Sequence, residues 1–120
     1  MGAPIYTVCA GAPSVTALLG AEPRIYPFGQ APQGVAKPYV VWQVINGSPF
    51  NFINGQPSMD RYGIQIDVYA DDDVSVEQVT SAVRKAIGPH CYVTGFNIEG
   101  QDPVTQSYRK SFDVAWLVSL

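Results

Sequence analysis

Few side chains in this sequence are of a kind that does covalent chemistry, and their spacing decides whether any of them works together. The chain has one His and two Cys among 120 residues. His90 and Cys91 are adjacent, which invites a thiol nucleophile with its base, or part of a metal site. Neighbours along an extended strand point to opposite faces, so in such a segment neither can serve the other. One His and two Cys also fall short of a four-ligand structural zinc set. The pair reads as a His at a helix exit followed by a buried thiol, with Cys9 and Cys91 both reduced core residues.

The carboxylates offer two further arrangements. Asp71, Asp72 and Asp73 lack the alternating acidic spacing and the following glycine of a calcium loop, and they stand where a helix N-terminus needs caps and negative charge. Asp67 and Asp113 each fall on the polar face of a predicted strand. If those strands were neighbours, the two could act as an acid–base pair, and the rival function from another class is a small metal-dependent hydrolase built on them. A sheet with a few helices leaves little room for the cleft such an enzyme needs. No phosphate loop, nucleophile elbow or dinucleotide fingerprint occurs in the sequence. No catalytic, cofactor-binding or metal-ligating residue is therefore assigned, and the chain is read as a non-enzyme.

The elements that would position these residues follow from periodicity. Ile5, Val8, Cys9 and Ala12, then Val15, Leu18 and Leu19, recur at helical spacing, with Pro13 between the sets and Gly20 after them. That predicts two short helices broken at Gly11. Residues 22–38 hold repeated Pro and Gly and read as an irregular connection. Residues 39–45 are apolar on both faces apart from Gln43, which suits a central or doubly covered strand. In residues 61–70, Tyr62, Ile64, Ile66, Val68 and Ala70 alternate with Arg61, Gly63, Gln65, Asp67 and Tyr69. A helix follows, with a capping box from Ser75 to Gln78, an apolar stripe of Val76, Val79, Val83, Ala86 and Ile87, and a stop at Gly88 and Pro89. A weaker strand over 92–98 precedes a last one over 108–118, where Phe112, Val114, Trp116 and Val118 oppose Arg109, Ser111 and Asp113. The expectation is one α+β domain over 1–120, with a four-stranded, mainly antiparallel or mixed sheet and helices packed on one face.

Residues 46–60, NGSPFNFINGQPSMD, read as a long loop between two strands. It carries Phe50, Phe52 and Ile53 amid turn formers, more than a hairpin turn needs. Apolar anchors on a projecting loop favour a subunit contact, with Phe50, Asn51, Phe52 and Ile53 as interface candidates.

Composition points the same way. A net charge of −3 is the wrong sign for gripping phosphate backbones, and only 14% of residues are charged, which leaves much uncharged surface for a partner to cover. The N-terminus lacks the basic start and apolar run of a secretory signal, and no stretch approaches the ~20 apolar residues of a membrane span.

Arg24-Ile25-Tyr26-Pro27, Ala31-Pro32-Gln33-Gly34 and Pro38-Tyr39-Val40-Val41-Trp42-Gln43-Val44-Ile45 together resemble the first half of the phage tail-completion, or tail-terminator, family. Gln65-Ile66-Asp67-Val68-Tyr69-Ala70, the helix with Val83-Arg84-Lys85-Ala86-Ile87, and Tyr108-Arg109 with Phe112-Asp113-Val114 and Trp116 resemble its second half in the same order. The resemblance implies a structural virion protein without cofactor, made in the bacterial host cytoplasm and located in the tail or neck. It implies a hexameric ring of copies that ends the tail tube and joins it to the head connector, with the tail tube protein and the connector or stopper as partners and DNA only passing through the lumen. A head-side adaptor or stopper ring is the alternative within the same particle. Gln65, Asp67, Arg109 and Asp113, alternating away from the core, are then expected at a subunit boundary or on the lumen.

Overall fold

The computed structural model describes residues 3–51 and 57–119. Two short helices open the chain, α1 (Ile5–Ala10) and α2 (Pro13–Leu19). Pro13 sits in the first turn of α2, where its missing N–H costs nothing, and Gly20 ends that helix with a φ of +100°, which a side chain would strain. Strand β1 (Ile25–Pro27) is followed by β2 (Tyr39–Asn51), β3 (Pro57–Ala70), helix α3 (Asp73–Ile87), β4 (Cys91–Gln101) and β5 (Tyr108–Ser119).

The sheet has five strands in the order β1-β2-β3-β5-β4. It is mixed: β1 runs parallel to β2, and every other neighbour pair is antiparallel. The expected four strands are thus one too few. The stretch read as an irregular connection contains β1, which at three residues is too short to show a period of two. Helix α3 carries the chain from β3 past the position of β5, and β5 then inserts between them as the return arm of a β4–β5 hairpin.

One face of this sheet carries the core. Val40, Ile64, Ile66, Val68, Ala70, Phe112, Val114 and Trp116 are all buried, and each alternates onto the same side of its strand. Against them lie Ile5 and Cys9 from α1, Val15 and Leu19 from α2, and Val76, Val79, Val83 and Ile87 from α3. Every strand register agrees with this side: Ile66 lies opposite both Trp42 and Phe112, and Ile64 opposite both Val44 and Val114. The expected placing of the helices on one face holds among the described residues. The N-cap of α3 is Asp72, whose carboxylate accepts from the Ser75 N–H at 2.7 Å, so Ser75 is not the cap that a box with Gln78 requires.

The long loop expected over residues 46–60 is mostly strand. β2 and β3 pair from Tyr39↔Tyr69 out to Asn51↔Pro57, with bulges between Val44 and Asn46 and between Phe50 and Asn51. Glycine, proline and asparagine in this stretch hid the pairing from its composition, because a bulged, exposed arm tolerates them. Phe50 and Asn51 therefore end a strand, while Phe52 and Ile53 lie outside the described residues. The hairpin lengthens the molecule to 51 × 28 × 23 Å. β2 is a central strand, between β1 and β3, as expected, but it is not doubly covered: Val44 and Ile45 are each 45% exposed.

A candidate interface on the open face of the sheet

The other face of the sheet carries no helix among the described residues, yet its side chains are not freely solvated. The register sets Gln65 opposite Asp113, Asp67 opposite Ser111 and Tyr69 opposite Arg109 across the β3–β5 ladder. On the other flank of β3, Val41 lies opposite Asp67 and Tyr39 opposite Tyr69. The alternation of β3 and β5 thus gathers Gln65, Asp67, Arg109 and Asp113 into one patch.

Asp67 is the centre of that patch and is only 6% exposed. Its Oδ1 accepts from Arg109 Nη2 at 3.1 Å, and the Gln65 amide donates to both carboxylate oxygens at 3.3 and 3.4 Å. The Arg109 guanidinium also lies 5.7 Å from the centre of the Tyr69 ring, which itself stacks on Tyr39 at 5.0 Å. A buried carboxylate is tolerable here because the arginine supplies opposite charge and the amide a second donor. Burial raises the Tyr39 hydroxyl above its ordinary value, and it does the same to Tyr69, with Arg109 opposing.

Asp113 belongs to the same face but to a different partner: it accepts from Asn97 of β4 at 2.7 Å. The two carboxylates suggested as an acid–base pair are therefore staggered along neighbouring strands, and each is engaged by its own donor. No group of three His, Cys, Asp or Glu side chains capable of holding a metal ion occurs among the described residues.

The patch is also incompletely satisfied. Ser111 Oγ and Arg109 Nε are buried without a hydrogen-bond partner, an arrangement that costs about 1–3 kcal/mol per group when it persists. At one end of the face a groove of about 680 Å³ is bounded by Lys37, Tyr39, Tyr69 and Arg109, with the 31–35 segment on one side and the turn from Gly100 to Ser107 on the other. Lys37 in turn pairs with Asp71 at 3.7 Å.

Cys91 is half-buried and not the fully buried core thiol expected, while His90 lies in the turn that leaves α3, as a helix-exit His should. Its ring stacks on Trp116 at 5.8 Å, and Cys91 pairs in register with that same Trp116. The Cys91 thiol donates to the Ile87 carbonyl at 3.3 Å, and burial pushes it up to about 11. Cys9 is likewise pushed up to about 11, by burial first and by nearby Cys91 second. Such thiols are protonated near neutrality and make poor nucleophiles.

Reading the sequence alone missed Tyr39, Tyr69 and Ser111 as members of the patch. Alternation had already put Tyr69 beside Asp67 and Ser111 beside Asp113, but only the pairing register brings Tyr39 onto Tyr69.

The family described as Tail completion protein gp17 matches residues 3–119 of this chain. No curated protein matches it. Among solved structures, a chain of the "Virion of native gene transfer agent (GTA) particle" superposes with a TM-score of 0.69 at 16% identity, over 97% of this chain and 92% of that one. That likeness shows a shared fold over nearly the whole of both chains.

Proposed function

The chain belongs to the tail completion protein gp17 family, and from that premise we propose that it forms a closed, hexameric ring on the head-proximal end of a phage tail tube, stops the tube there, and joins it to the head connector. Membership itself makes the chain a structural component of the virion tail and not an enzyme. None of its described helices is long and apolar enough to cross a membrane.

The observation that carries the ring is the open sheet face. Among the described residues no helix covers this face, and it leaves Ser111 Oγ and Arg109 Nε unpartnered beside the open groove at Tyr39 and Tyr69. In a ring a neighbouring copy covers such a face. The fold shared with a chain of a gene transfer agent virion supports placement in such a particle. The net charge of −3 suits a bore through which DNA passes without sticking. In this reading the described end of the β2–β3 hairpin, at Phe50 and Asn51, meets the next ring or the tube.

Electron microscopy of particles lacking the protein tests this function. Tails of uncontrolled length, or tails of set length that fail to join heads, are the expected result. Heads that leak DNA beside normally capped tails would move the protein to a head-side adaptor or stopper ring, and normal particles would reject both.

A further inference from the structure

The order β1-β2-β3-β5-β4 leaves the sheet with two open edges of unequal kind. On one side β1 covers β2 only from Val40 to Trp42, and the Phe28 N–H donating to the Trp42 carbonyl at 2.8 Å is the last described backbone bond there. Strand β2 continues to Asn51, so nine residues, 43–51, have no strand on that side among the described residues. On the other side, all eleven residues of β4 form an edge, with β5 as their only described neighbour.

Proteins that remain monomeric protect such edges with lysines, inward charges, prolines or very short strands. These edges are poorly protected by charge. Residues 43–51 contain no charged side chain and β4 contains only Glu99. Large apolar side chains are exposed along both: Val44 and Ile45 at 45%, Tyr92 at 55% and Phe96 at 63%. Bulges bend each strand, between Val44 and Asn46 in β2 and between Val93 and Gly95 and again between Phe96 and Glu99 in β4.

We propose that these edges are the two halves of one head-to-tail contact, in which β4 of one copy pairs with the free stretch of β2 in the next, so that the sheet runs on from subunit to subunit around the ring. This inference rests on the ring reading above. A second copy is the occupant because the edges fit one another: nine residues face eleven, neither carries Lys or Arg, and among the described side chains each exposes two large apolar ones. A contact between two different patches of one chain also generates a cyclic assembly, whereas an edge pairing with itself stops at a dimer and leaves the other edge bare. Within one copy β4 runs antiparallel to β2, since both are linked to it through antiparallel neighbours β5 and β3. Rotation about an axis along the strands preserves that direction, so the intersubunit pair is antiparallel. Sheet faces are preserved too. Val44 opposes Ile64 and Phe96 opposes Phe112, which puts both on the helix-bearing face, where they meet across the junction.

Cysteine cross-linking in assembled tails tests the pairing, in a Cys91→Ser background that removes the half-exposed native thiol. Tails built with a Val44→Cys, Phe96→Cys chain should give, on oxidation, a ladder of covalent oligomers ending at the ring size. Chains with either cysteine alone should give none, because each contact uses one of each. In parallel, Val44→Lys and Phe96→Lys should each lower incorporation into tails ~10-fold or more, while Gln78→Lys, on the exposed side of α3, should not. Circular dichroism and urea denaturation of the soluble variants confirm that the fold is kept. A ring seen by electron microscopy in which the double-cysteine chain gives no ladder, or in which a single cysteine cross-links to itself, overturns the edge pairing alone. Particles that contain no ring overturn the pairing together with the reading beneath it.

Discussion

Arg109 on β5 reaches diagonally across the sheet to Asp67 on β3, placing its Nη2 3.1 Å from a carboxylate oxygen that is almost wholly withdrawn from solvent. The Asp67 charge tolerates burial only through this guanidinium and the Gln65 amide. Introducing Lys at 67 would therefore set two cations against each other and damage the monomer before any assembly began. Asp67→Asn is the informative change, as it keeps the shape and removes the charge. It and Arg109→Gln should each cost about 1–2 kcal/mol in urea denaturation, discounted for the partly exposed arginine, and the double variant should lose less than their sum. Strict additivity would mean that the pair contributes nothing.

The bulge between Val44 and Asn46 sets how the hairpin arm twists, and Gly63 is the residue opposite it. A Cβ at 63 would lie 2.6 Å from the Asn46 Oδ1, closer than such atoms come, although the obstacle is the end of a side chain. Gly63→Ala should lower stability by about 1 kcal/mol, and adding Asn46→Ala should restore most of it. Urea midpoints of the four proteins check this. A loss unchanged by Asn46→Ala would place the strain in the backbone instead.

Much of this molecule was legible in the sequence where the core imposes a period. The face of β3 from Tyr62 to Ala70, the stripe on α3 and the break between α1 and α2 all follow from which residues avoid water. The arm was not legible, because beyond Val44 the strands leave the core and nothing selects an alternating pattern. β1 was too short to carry one. The patch around Asp67 was half visible: alternation sorted Gln65, Asp67, Arg109 and Asp113 onto one face. Which of them touch depends on register, and register is a property of pairs of strands. It separated Asp113, which went to Asn97, from Asp67, which went to Arg109.

Asp72 caps α3, and the alternative cap at Ser75 makes a different prediction. Asp72→Ala removes the acceptor for the Ser75 N–H and should cost about 1 kcal/mol, as lost N-caps do. Ser75→Ala keeps that backbone donor and should change stability by no more than about 0.5 kcal/mol. Thermal denaturation of the two single variants ranks them. A larger loss from Ser75→Ala would restore the capping box with Gln78.

Alkaline pH should lower the stability of the domain through its thiols. Cys9 and Cys91 are pushed from 9.0 to about 11 in the folded chain, chiefly by burial, which favours the neutral form. A group whose folded value lies above its unfolded one contributes stability that is complete below the unfolded value and is lost as pH rises through the folded one. The window is therefore pH 9 to about 11, and Tyr39 and Tyr69, also raised by burial, add to the loss in the same direction from pH 10 upward. Urea denaturation across this range should show stability falling by roughly 1–3 kcal/mol. The Cys9→Ala, Cys91→Ala double variant starts from lower stability, because it empties space in the core, yet its decline should be visibly shallower. A decline of equal slope in both proteins would assign the alkaline loss to the tyrosines alone.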